Sequence, residues 1–298
     1  MSNFDDIFEG QSSGYRREDK TFDKEAWAAK KQTERKEVYA LADSTAEAIK
    51  GDGNKFRDYL DVQSRFDRYS ATNALLILAQ MPQATQLKDF DGWKDAGASV
   101  QKKATSIRIL EPGKEYDRSD GGTGTSYDVK RVFDVSQTRG RVRPAPAVKL
   151  DDRVLLKALI SRTPVPIQTV DALPNNAGAL YDHDQQVVFV VRNMGAEDIF
   201  RSVSKELAHV ELAGMKQDYN RSDAAFTAYS ASYMLCKKYG IDVSGYDFTR
   251  LPTSFRESKP QEVRAALTEM RDAASGISAR MSRALEQTHS TRGKEQER

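Results

Sequence analysis

Cysteine and histidine are scarce in this chain. A lone Cys236 excludes an internal disulfide and fits a reducing cytosol. Three histidines (His183, His209 and His289) leave too few imidazoles for a histidine-rich metal centre. No apolar run approaches the roughly 20 residues of a membrane span, and the acidic start Asn3-Phe4-Asp5-Asp6 is no signal peptide. A soluble, cytoplasmic protein with no membrane partner is therefore expected, in keeping with 39% hydrophobic residues. A dominant charge is missing as well: 46 Lys+Arg against 44 Asp+Glu leave +2, so any nucleic-acid surface must come from local segregation. One stretch has it. Between 130 and 149, Lys130, Arg131, Arg139, Arg141, Arg143 and Lys149 face only Asp134.

The chemistry-bearing stretch is Ser204-Lys205-Glu206-Leu207-Ala208-His209. In His-Glu-x-x-His, two imidazoles at i and i+4 on one helix face hold Zn²⁺ and the Glu serves as general base. Here Glu206 and His209 stand at the base and second-ligand positions, but Lys205 stands at the first. An ammonium with an ordinary pKa of about 10.4 offers no lone pair near neutral pH and repels a divalent cation.

Length allows one large or two ordinary domains. Residues 1–20 read as a disordered or docking tail. Helices are expected near 23–50, 54–66 and 70–80, the last strongly apolar and ended before Pro82. Ile107-Arg108-Ile109-Leu110 reads as a strand, with 129–135 as its partner, while 111–126, rich in Gly, Pro, Ser and Asp, reads as an exposed hairpin loop. Pro144 and Pro146 make 139–149 a basic linker. Beyond it come a helix near 150–162, short strands near 165–169, 178–181 and 186–191, the helix carrying Lys205 and His209, a helix over 222–239, and a polar helix over 261–286 with a narrow stripe from Val263 to Leu285. The last residues, 288–298, read as a disordered tail.

Several segments together resemble the antirestriction ArdC family of plasmids and other mobile elements. They are Tyr69-Ser70-x-x-Asn73-x-Leu75-Leu76-Ile77-x-x-Gln80, Pro82-x-Ala84-Thr85, Trp93, Gly97-x-x-Val100, Ile107-Arg108-Ile109-Leu110 and the run from Val132 to Thr138. The resemblance implies a single-stranded-DNA-binding domain over 21–138 and a zincin-like metallopeptidase domain over 150–287. Two departures stand out. The family's basic, Gly-rich turn reads Gln101-Lys102-Lys103-Ala104-Thr105-Ser106 here, without glycine. Its third zinc ligand, a Glu on the following helix, is replaced: alignment on Tyr233 puts Thr227 and Tyr229 at the two Glu positions.

The expectation is an α+β protein: a small antiparallel sheet with helices, then a zincin-like helical domain with a β-hairpin. It binds single-stranded DNA for a mobile element and is no enzyme, with no metal, no cofactor and a degenerate site at Lys205, Glu206, His209 and Thr227. Lys205 is expected to fill the lost ligand's space and to pair with Glu206 or a nearby acid. Sequence-tolerant strand binding needs cations for phosphates and aromatic faces for bases. The candidate cations are Lys102, Lys103, Arg108, Lys130 and Arg131, followed by Arg139, Arg141 and Arg143; Tyr69, Trp93 and Tyr127 are the candidate aromatics. Core packing is the alternative for Trp93 and Tyr69, and satisfaction of buried backbone is the expected role of Asn73. Two other functions stay open: a peptidase using His209 with Glu211 or Asp218, and a scaffold docking a protein partner through the N- or C-terminal helix.

Overall fold

Three side chains start the first three helices by the same means. Asp23 accepts from the Ala26 N–H, Asp52 from Asn54 and Lys55, and Ser70 from Asn73, each satisfying first-turn donors that have no partner within the helix. They open α1 (Lys24–Lys50), α2 (Gly53–Arg65) and α3 (Ala71–Gln80). This computed structural model of the chain describes residues 23–117, 122–140, 142 and 150–296; the expected N-terminal tail and most of the basic linker, with Arg141 and Arg143, lie outside them. Val38, Ala42, Ala46 and Ile49 bury one stripe of α1, whereas its first turns, 23–30, are exposed.

The chain continues through β1 (Leu87–Lys88), α4 (Phe90–Asp95), β2 (Ala98–Val100), β3 (Ile107–Asp117), β4 (Thr123–Asp134) and β5 (Thr138–Gly140). Order β1-β4-β3 makes one antiparallel sheet, and β2 pairs with β5 in a second. The stretch 111–126 is therefore mostly strand rather than loop. Its Pro and Gly are accommodated by a bulge between Pro112 and Glu115, where the register shifts by one residue against β4. Gly113 is needed there, since a Cβ would stand 2.8 Å from the Ser126 Oγ.

The other edge of β3 meets α3 rather than a strand. Asn73 donates to the Leu110 carbonyl and accepts from the Leu110 N–H, both at 2.8 Å. Two turns along, Gln80 does the same for Arg108, both at 2.9 Å. Two primary amides thus stand in for a neighbouring strand. Asp134 closes the far end of β4: burial raises its pKa, but N–H donors of Gln86, Ser136 and Thr85 outweigh that and hold it below the ordinary carboxylate value.

After α5 (Asp152–Leu159), a mixed sheet of order β6-β8-β7 forms from β6 (Ile167–Val170), β7 (Ala179–Asp182) and β8 (Val187–Val191). Next come α6 (Ala196–Met215), α7 (Arg221–Tyr239), α8 (Thr253–Glu257) and α9 (Pro260–Gln296). Gly240 stops α7 with φ 73°, the left-handed conformation that suits glycine. The α9 stripe is buried at Val263, Leu267, Met270, Ile277 and Met281, as expected. The helix runs past 286 to Gln296, overlapping the expected tail, because no proline interrupts it. The architecture is α+β. One buried cluster joins residues of both halves, including Phe56, Leu75 and Ile107 with Leu207, Tyr233 and Met270. The Tyr233 hydroxyl donates to Asp61 of α2 at 2.7 Å. Among the described residues no helix is long and apolar enough to cross a membrane.

Replacing Asn73 by Ala leaves a buried N–H and C=O of Leu110 without partners. The expected loss is about 2–4 kcal/mol in urea unfolding; a change below about 0.5 kcal/mol would show that the strand edge finds other donors and acceptors.

Candidate functional site

On α6, Glu206 is fully buried and His209 is 2% exposed. The Glu206 carboxylate is fully engaged. The Tyr181 N–H of β7 donates to Oε2 at 2.9 Å, and the Arg221 guanidinium lies 2.8 Å from Oε2 and 3.0 Å from Oε1. Lys205 reaches Glu206 as expected, but its Nζ stands 3.6 Å away and its side chain is 40% exposed. Arg221 is thus the nearer counter-charge. Nothing in the local sequence marks it: it lies fifteen positions from Glu206, brought there because Asn220 caps α7 and starts that helix beside α6.

His209 Nδ1 is hydrogen-bonded to the Tyr219 hydroxyl at 2.9 Å, and the Tyr219 ring lies 4.9 Å from that of His183. Burial, then the Arg221 and Lys205 charges, lower the His209 pKa from 6.5 to about 3, so its imidazole is neutral across the ordinary pH range. Thr227 is buried on α7 and supplies no carboxylate. Glu211 turns to α9 instead, where it pairs with Arg280 in the space that Gly276 leaves open. Among the described residues no group of three or more His, Cys, Asp or Glu could hold a metal ion. A zinc ion does not fit these residues: the carboxylate is spent on backbone and guanidinium, and two cations stand where positive charge would have to enter.

The basic candidates fall into separate places. Arg108 and Arg131 lie directly opposite each other on β3 and β4. Both face α1, whose Glu37 and Glu34 pair with them at 2.9 and 2.6 Å. Lys130, one residue out of phase, points to the other face and pairs with Asp89 at 3.0 Å and Glu111 at 3.1 Å. Lys102 and Lys103 are exposed in the β2–β3 turn, where Lys103 adopts φ 67°, a conformation glycine would take without strain. Arg139 is exposed on β5. Trp93 is fully buried and its indole N–H donates to the Phe133 carbonyl at 2.8 Å, so core packing takes it and no base can stack on it.

What does converge is a groove of about 570 Å³ between α3, α4 and the β3–β4 hairpin. Tyr69 and Tyr127 line it with Arg68, Lys88 and Lys130, and Asp89 and Glu111 are the carboxylates in its wall. Tyr127 is 41% exposed, and Tyr69 is half-buried with its phenol pKa raised by burial. Arg68 and Lys88 escaped the sequence reading because they are scattered, with no local run of charge to mark them.

No protein-family model matches the chain. It is 25% identical over 282 residues to pXO2-81, an uncharacterized Bacillus anthracis protein, a match covering 75% of this chain and 48% of that one. The chain thus spans about half the length of the relative it matches. Its fold is similar to that of ArdC. The crystal structures concerned are of the antirestriction protein ArdC from plasmid R388, one metal-free and one bound to Mn(II), with TM-scores of 0.48 and 0.49 and 16% identity in each. The matches cover 74% and 75% of this chain, and 86% and 97% of the ArdC chains.

Two outcomes follow from the α6 geometry. Unfolded His209 takes up a proton near pH 6.5 and folded His209 only near pH 3, so stability is lost as pH falls below 6.5. Its share between pH 7 and 5 is about 2 kcal/mol, read as the part of the urea-unfolding pH slope that His209→Gln removes; an unchanged slope would refute it. Elemental analysis of the purified protein is expected to find zinc and manganese far below stoichiometry, and about one tightly held ion per chain would overturn the reading of the site.

Proposed function

We propose that this chain binds single-stranded DNA for a mobile genetic element, in an antirestriction or conjugation-associated role, and has no peptidase activity. The observation that carries the reading is where the ArdC-like segments converge. Tyr69, Ser70, Asn73, Ile109, Leu110 and Val132, scattered over more than sixty positions, all line the one groove. Aromatic faces beside cations in an open cleft are what sequence-tolerant strand binding requires. The α6 site supports the second half of the reading. Zinc hydrolysis needs three protein ligands and an open position for a water whose pKa falls to about 7. Here the base position is locked to Arg221 and the Tyr181 backbone. On this reading 21–138 carries the binding function and 150–287 retains a zincin-like frame without its chemistry.

Fluorescence anisotropy with a labelled single strand at low salt tests the reading. Binding is expected, with Tyr127→Ala weaker by about 5- to 150-fold, the equivalent of one stacked base. Absence of binding at low salt, where any electrostatic contribution is strongest, would sink it.

A further inference from the structure

Arg68, Lys88 and Arg271 line the groove elsewhere, but at its hairpin wall the charges are arranged badly for phosphate and well for a base. Lys130 is the cation on its hairpin wall, and carboxylates on both sides already hold it, Asp89 at 3.0 Å and Glu111 at 3.1 Å. A phosphate arriving there would meet two negative charges. Arg108 and Arg131, the other strand cations, face α1 and are paired with Glu37 and Glu34. The hairpin therefore offers no continuous phosphate track.

The same groups leave other valences open. Lys130 has three N–H donors and gives one each to Asp89 and Glu111. The Glu111 contact uses Oε2, and Glu111 itself lines the groove, which leaves this carboxylate with further acceptor capacity there. Asp89 is engaged through both oxygens, Oδ1 accepting from the Gly92 N–H and Oδ2 pairing with Lys130. A donor thus sits beside an acceptor in the groove that Tyr69 and Tyr127 also line.

We propose that the groove receives unpaired nucleobases rather than phosphates, the Lys130–Glu111 pair meeting the pairing edge of a base whose ring lies against Tyr69 or Tyr127. Each of the four bases presents a donor next to an acceptor on that edge, so the match tolerates sequence. In a duplex the edge is already occupied. Discrimination between single and double strands then comes from hydrogen bonding as well as from shape, as in other proteins that read unstacked bases. The inference rests on the strand-binding reading above and specifies which part of the strand is held.

The sign of one mutation separates the two chemistries. Removing Glu111 frees Lys130 and lowers the negative charge of the groove, so a phosphate site would bind more tightly and with a steeper salt dependence. A base site loses an acceptor, and Glu111→Ala is expected to bind a single strand about tenfold more weakly. A wild-type comparison runs beside it: a mixed-sequence single strand, the same strand made abasic at its internal positions, and its duplex. The abasic strand and the duplex are expected to bind at least tenfold more weakly than the intact strand. The salt slope should correspond to one or two phosphates at about −0.7 each. Tighter binding by Glu111→Ala, or equal affinity for intact and abasic strands, overturns the proposal and leaves strand binding standing. Binding of neither strand by the wild type ends both. Thermal unfolding of the variant accompanies the assay, and Glu111→Gln, which keeps an acceptor, is expected to recover most of the affinity.

Discussion

The edge of β3 that no strand pairs is the constraint on which the first half of the molecule turns. Burying a strand edge against a helix leaves alternate N–H and C=O groups facing a surface that ordinarily has nothing to offer them, at a cost of about 1–3 kcal/mol for each group left unpaired. Asn73 and Gln80 resolve this because a primary amide carries the same donor and acceptor as a peptide group. They sit two helical turns apart and meet residues two apart on the strand, which sets how α3 lies against β3. With that relation fixed, Tyr69 and Ser70 at the start of α3 stand over Ile109 and Leu110, and the groove between them has a defined floor.

Electrostatics then divides the hairpin into two unlike faces. Like charges directly opposite on neighbouring strands destabilise a sheet, and Arg108 and Arg131 are such a pair. Glu34 and Glu37 of α1 relieve it, so the helix that covers this face also neutralises it. Lys130 is treated likewise on the other face by Asp89 and Glu111. The six-to-one excess of cations over 130–149 is real along the chain, but a sequence count registers neighbours in order and not in space. For Lys130 and Arg131 the compensating acids come from positions 34, 89 and 111, each too far away in sequence to be counted.

This contrast marks what could be read from the residues. Helices with breakers and strong periodicity were legible: α3 ended before Pro82, α7 expected over 222–239 and the α9 stripe, whereas the caps Asp23, Asp52 and Ser70 show only in the structure. The role of Asn73 was legible too, since an amide within an apolar helix needs buried partners. The β3–β4 extension was not, because Gly113 and Pro112 read as loop until a bulge gives them a place in the ladder. Trp93 was ambiguous for a physical reason: the large aromatic surface that would stack on a base packs a core equally well, and only its N–H bond to Phe133 decides.

The α6 site shows how its charged residues depend on one another. A buried carboxylate without a counter-charge is costly by several kcal/mol, so Glu206 needs cations beside it to stay ionised in this core. Lys205 alone is a poor counter-charge: it immediately precedes Glu206 on the helix, and its Nζ stands 3.6 Å off. Arg221 supplies the close contact and shares the carboxylate with the Tyr181 backbone, tying α6, α7 and β7 at one point. Two monovalent side chains thus stand near the one buried carboxylate. Their field, added to burial, keeps His209 neutral, which allows its Nδ1 to accept from Tyr219. Placing His at 205 would remove one of those cations yet leave Arg221 on the Glu206 carboxylate, so that single substitution would not by itself free the site for a metal ion.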